Sequence, residues 1–119
     1  MRAVVGIDLG GTHVRAGALL PDGQIVAWAE GPIDAARGPA QGVQRIVELA
    51  GETLRQAGDV QLQGIGVGAT GPVDREQGAI QNPHTLPTWE NVDIVSPLRD
   101  YFGVPVILEN DADAAALGE

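Results

Sequence analysis

Residues 1–30 leave this chain little freedom in how it can fold, because short apolar segments alternate there with turns too tight for a crossover. Val4, Val5, Ile7 and Leu9 form an apolar run that stops at Gly10-Gly11, and from Thr12 onward Val14, Ala16, Ala18 and Leu20 recur at every second position. Alternation at period two collects these side chains on one face of a strand. Pro21-Asp22-Gly23 is a turn by residue type, since proline presets φ and glycine accepts a positive φ, and Gln24 to Glu30 then form a third strand. Parallel neighbours need a connection of about a dozen residues or more. Neither turn has that length, so the three strands form an antiparallel meander.

After Gly38-Pro39 the period changes. Val43, Ile46, Val47, Ala50 and Leu54 fall three and four residues apart, with Pro39 near the first helical position and Gly58 placed to end the segment. Leu62 to Val67 is a fourth strand that opens into a glycine-rich segment, and Pro72 to Trp89 is a long loop with room for short strands. Ser96-Pro97 to Gly103 is expected to be a short helix capped at its start, Val104 to Leu108 a fifth strand, and Asn110 or Asp111 the cap of a last, alanine-rich helix. Three strands, helix, strand, helix, strand, helix is the order of a ribonuclease-H-like α/β lobe. The expectation is a mixed five-stranded sheet, its three antiparallel strands first, flanked by helices.

The chain has 119 residues, enough for one domain spanning 1–119, and a chain of that size can bury roughly 65% of its unfolded surface. Hydrophobic residues make up 44% and charged residues 19%, which is globular rather than disordered composition. The formal charge of −9 repels nucleic acid and anionic membranes, so neither is expected as a partner. It repels a nucleotide triphosphate at long range as well, so a phosphate site here must rely on local backbone amides and a divalent cation. There is no cysteine, which removes disulfides, thiolate metal sites and cysteine nucleophiles. No apolar run approaches the roughly 20 residues of a membrane span, and a soluble cytoplasmic protein is expected.

Three groups of residues could carry chemistry. In Asp8-Leu9-Gly10-Gly11-Thr12 a carboxylate ends a buried strand and two glycines allow close approach of a ligand to the backbone. Asp8 could hold a hydrated Mg²⁺ and Thr12 could donate to a phosphate oxygen; an ordinary hairpin turn explains the same residues. In the run from Gly64 to Asp74, glycines at alternate positions strip one strand face of side chains, which admits either a ligand or a closely packed helix. The string Gly66, Gly68, Gly71 has dinucleotide spacing, but Pro72 and the loop after it replace the helix such a site requires. Glu109-Asn110-Asp111 lies where a strand ends and a helix begins, a place where α/β sheets bind ligands and where a carboxylate could take a proton from a substrate hydroxyl. Helix capping by Asn110 or Asp111 is the competing explanation. His13 and His84 have no ligand-spaced partner, Trp89 is expected to anchor the long loop, Asp22 to sit in a turn, and Arg15 to face solvent or a carboxylate.

Taken in order, the segments GIDLGGTHVRAGAL, GIGVGATGPVD, LPTWENVDI and FGVPVILENDADAAALGE resemble those of the ROK sugar kinases and related repressors, within the actin-like ATPases. The resemblance implies a hexose kinase, glucokinase-like, that transfers the γ-phosphate of ATP, or of polyphosphate, to a sugar hydroxyl in glycolysis. It implies Asp111 as general base, Asn110 and Gly71 at the sugar, Gly10, Gly11 and Thr12 in the phosphate turn, and Asp8 near Mg²⁺, bound through water. Three positions depart from the family pattern: Thr85-Leu86-Pro87-Thr88-Trp89 lacks the usual Asn and Gly, and Asp113 stands where Asn is common. Family members are about twice as long, so the resemblance places this chain as the amino-terminal lobe, with a carboxyl-terminal lobe carrying the structural zinc and the adenosine site absent. The lobe alone is expected to be inactive and to be able to self-associate as a homo-oligomer. A sugar-sensing regulator or a non-catalytic lobe is the alternative; Met1 lies almost on the first strand, which favours the kinase branch.

Overall fold

The computed structural model describes residues 2–10, 13–32, 39–69, 73–74, 79–81 and 90–110. Strands β1 (Arg2–Leu9), β2 (His13–Leu19) and β3 (Ile25–Pro32) form the expected meander, β1 antiparallel to β2 and β2 antiparallel to β3. The second turn is built as its residues dictate. The Gly23 amide donates to the Leu20 carbonyl at 2.9 Å, the Asp22 carboxylate accepts from the Gln24 amide at 2.9 Å, and Gly23 takes φ 88°.

Helix α1 (Pro39–Ala57) begins at its proline and is followed by Gly58 at φ 82°. It carries the chain across the meander to β4 (Gln61–Ala69), which pairs in parallel with β1. Helix α2 (Val95–Phe102) leads to β8 (Val106–Asn110), parallel to β4. The order β3-β2-β1-β4-β8 is the mixed five-stranded sheet read from the sequence, with its antiparallel strands first.

Details differ from the sequence reading. The long loop contributes β5 (Val73–Asp74) and β6 (Ala79–Gln81), which join β7 (Glu90–Asp93) in a separate antiparallel sheet. Ser96 does not cap α2: Ile94 is the capping residue, without a side-chain cap, and the Ser96 amide instead donates to the Asp93 carboxylate at 3.0 Å. Asp93 does from outside the helix what a capping side chain does from its first position, and Pro97 is tolerated because first-turn amides lack intrahelical partners. The fifth strand starts later than Val104, and the Pro105 carbonyl only opens its ladder by accepting from the Ile65 amide at 2.9 Å. The alanine-rich segment from Asp111 onward lies outside the described residues.

The core lies on one side of the sheet. Val5, Ile7, Leu9, Val14, Ala16, Ala29, Ile65, Val67 and Leu108 point to it, and Ile46, Leu49 and Ala50 of α1 with Leu98 of α2 fill it from the other side. Among the described residues Thr53 is the buried polar side chain in this layer, and its hydroxyl donates to the Leu49 carbonyl at 2.9 Å with the Ala16 carbonyl 3.4 Å away. Among the described residues no helix is long and apolar enough to cross a membrane.

Candidate active site

Strands β1, β4 and β8 run parallel, so their carboxyl ends lie along one edge of the sheet. Members of all three sequence groups meet on that edge. Asp8 is exposed at the end of β1, directly opposite Gly68 of β4, and Gly68 in turn is opposite Glu109 of β8. One residue further on, Leu9, Ala69 and Asn110 are in register. Neighbouring strands are about 4.8 Å apart, which puts the backbones of β1 and β8 roughly 10 Å from each other here. Only a glycine and an alanine of β4 stand between them.

The turn after β1 is closed by the Gly10 amide, which donates to the His13 carbonyl at 2.9 Å. That bond occupies the N–H that a phosphate would otherwise take from Gly10. A Cβ built at Gly10 would lie 3.5 Å from the His13 carbonyl oxygen, an ordinary contact, so this hydrogen-bonded turn does not itself exclude a side chain there. Gly11, Thr12, Gly71 and Asp111, together with the loop 85–89, His84 and Asp113, lie outside the described residues, as does the side chain of Asn110.

The bare strip expected on β4 is wider than one strand. Gly66 is opposite Gly6 of β1, which is opposite Gly17 of β2, so three glycines form a row across the middle of the sheet. Trp28 of β3 and Ile107 of β8 stand at its ends, 58% and 52% exposed. Among the described residues both helices pack on the opposite, core-facing side of the sheet. Helix packing by α1 or α2 therefore does not account for these glycines.

Beside the glycine row runs a charged one. Arg15 is opposite Asp8 across the first hairpin and opposite Glu30 across the second, and its Nε lies 3.1 Å from a Glu30 carboxylate oxygen. The sequence reading left Arg15 facing solvent or a carboxylate; the pair is with Glu30. The signal for this neighbourhood was available. Around a turn closed by Gly10 and His13, counting outward pairs Leu9 with Val14 and Asp8 with Arg15.

Could this edge hold magnesium? Among the described residues no group of three His, Cys, Asp or Glu side chains could enclose a metal ion. Mg²⁺ does not need such a cage; it keeps most of its water and binds through one or two carboxylates and phosphate oxygens. The exposed carboxylate of Asp8 fits that mode.

Known proteins share both the sequence and this topology. The chain is 33% identical over 117 residues to a glucokinase of Thermotoga maritima, covering 98% of this chain and 36% of that protein. A ROK hexokinase from Thermus thermophilus superposes with a TM-score of 0.85 at 37% identity, over 97% of this chain and 37% of that one. A ROK family glucokinase from Streptomyces griseus, solved with glucose and AMPPNP, superposes with a TM-score of 0.80 at 25% identity, over 96% of this chain and 35% of that one. The chain thus spans little more than a third of the length of these relatives. Since the ROK family model also matches residues 4–119, almost every residue described above included, the chain belongs to the ROK family.

Proposed function

We propose that this chain is the amino-terminal lobe of a sugar kinase that passes the γ-phosphate of ATP to a hexose hydroxyl, with glucose the first candidate. The observation that carries the reading is the shared carboxyl edge, where the carboxylate of Asp8 and the end of β8, the residue before Asp111, lie on either side of β4. A gap of roughly 10 Å at this edge leaves space for a phosphoryl group between a carboxylate on one strand and a base on the other. Glucose and AMPPNP in the Streptomyces griseus relative support the choice of hexose and nucleotide.

In this reading Asp111 accepts the proton of the attacking sugar hydroxyl as its oxygen bonds to phosphorus and the bond to the leaving ADP oxygen breaks. Asn110 and Gly71 position the sugar. Gly10 and Gly11 let the chain turn close to the phosphates, and Thr12 donates its hydroxyl to one of them. Mg²⁺, when bound near Asp8 through water, supplies neutralisation of charge on the donor phosphates. Positioning and neutralisation account for most of the rate in phosphoryl transfer, so the lobe needs no nucleophile of its own.

The test is Asp111→Asn in the full-length protein, assayed by coupled turnover with glucose and ATP. Loss of a general base costs about 10²–10⁴-fold in rate, and the far-UV and thermal signatures of folding should not change. Near-normal turnover in that variant would remove Asp111 from the role of base. The 119 residues by themselves should show no turnover above a blank, because they span 36% of the length of a relative that carries the whole site.

A further inference from the structure

We propose that Asp93 is a positioning residue for the sugar: by holding the first turn of α2 it locks the small sheet to that helix, and so keeps the segment through Gly71 beside Asn110. The inference rests on the kinase reading above, which puts Gly71 and Asn110 at the sugar, and it adds a residue that the resemblance did not assign.

The path of the chain places Asp93 at a joint between these two. Ala69 at the end of β4 is opposite Asn110 of β8, so the main sheet fixes where the segment through Gly71 starts. The small sheet fixes where it goes, because β5 begins two residues after Gly71. Ala79 of β6 is opposite Asp74 of β5 and opposite Asp93 of β7, so Asp93 ends the last strand of that sheet. From Asp93 the chain enters α2, and α2 leads into β8 and Asn110. The small sheet also comes back to the main one, since β5 lies close to β8.

The joint is fastened in two ways. Ile94 and Leu98 are fully buried, and their burial presses α2 onto the sheet without fixing an angle, since apolar burial is non-directional. The hydrogen bond is directional. Ile94 supplies no side-chain cap, and the Ser96 amide donates to the exposed Asp93 carboxylate at 3.0 Å. That bond fixes how β7 enters the helix, and it satisfies a first-turn amide that has no partner within the helix. Pro97 has no amide to offer, and eight residues are too few for a helix that stands by itself in water. The first turn of α2 therefore depends on Asp93.

The donor side does not. Asp8 and Gly10 belong to the hairpin of β1 and β2, which is held by its own ladder and by β3 and β4 on either side. None of these pairings passes through β7 or α2. A ligand that needs the first turn formed loses apparent affinity in proportion to the fraction of molecules that have it unwound. The loss of one capping side chain shifts a helix start about fivefold toward the unwound form.

The experiment compares Asp93→Ala, Asp93→Asn and Asp100→Ala in the full-length protein, with glucose and ATP varied separately. Asp93→Ala is expected to raise the KM for glucose about three- to fivefold and to leave the KM for ATP within about 1.5-fold. Asp93→Asn keeps an oxygen that can accept the Ser96 amide and should restore the parent's value. Asp100→Ala, at an exposed position near the other end of α2, should behave as the parent. A glucose KM unchanged by Asp93→Ala, or an equal rise in both KM values, would make the bond merely structural and overturn the proposal, as would a glucose KM in Asp93→Asn as high as in Asp93→Ala. Calorimetric titration with glucose alone separates this from the kinase reading. If the parent phosphorylates no sugar, the kinase reading fails; weaker glucose binding by Asp93→Ala would still support the Asp93 assignment, and equal or absent binding in both would end it.

Discussion

The two faces of the five-stranded sheet are made from the same strands and have opposite characters. On the core face, Val5, Ile7, Leu9, Val14, Ile65 and Val67 meet Ile46, Leu49 and Leu98 in a layer almost without polar atoms. On the other, the same strands present Gly6, Gly17 and Gly66 beside Asp8, Arg15 and Glu30. Because successive residues of a strand face opposite ways, each strand can serve packing with one set of positions and chemistry with the other. Substitutions on the first face should therefore change stability, and substitutions on the second should change binding and turnover.

The sharpest test of that division is Asp8→Asn in the full-length protein. Turnover should fall by about 10²-fold or more, as when the carboxylate that holds a charge-neutralising cation is removed, while the exposed site keeps the unfolding free energy within about 0.5 kcal/mol. A variant that fails to fold would mean that the open face is structural too. The converse is Leu49→Ala, at a fully buried position of α1. It should cost about 2–5 kcal/mol by denaturant titration and leave turnover per folded molecule as it was; a smaller cost would show that the layer can collapse around the gap. The smallest effect belongs to Trp28→Gln, whose ring is 58% exposed on the open face. In the 119-residue chain the change should stay within about 0.5 kcal/mol. A markedly larger loss in the full-length protein would show that other parts of that protein cover this end of the glycine row.

Much of the fold was legible because it is local. The turn at Pro21-Asp22-Gly23 and the helix stops at Gly58 and Gly103 follow from the φ values that proline and glycine allow, and all three positive-φ glycines among the described residues are where residue type puts them. The start of α2 was less legible. Ser96-Pro97 has the composition of a helix start, yet Asp93 accepts the Ser96 amide, because several oxygen-bearing side chains close in sequence can serve one amide and only the path of the chain selects among them. In the site, Asp8 and Asn110 were readable as strand ends, and their common edge confirms the sheet geometry without deciding their roles. Arg15 was not singled out, since an arginine on the exposed side of a strand has no local signature.

From the sequence alone came the alternation that assigns each strand residue to a face, the turns that force a meander, and the spacing that makes α1 a helix. The tertiary structure decided which residues of strands distant in sequence share a row: Gly66 with Gly6, and Gly68 with Asp8 and Glu109. The physical reason is that side-chain period determines direction, whereas register is set by backbone pairing between segments far apart in the chain, and one residue of slip would have placed every one of these neighbours on opposite faces.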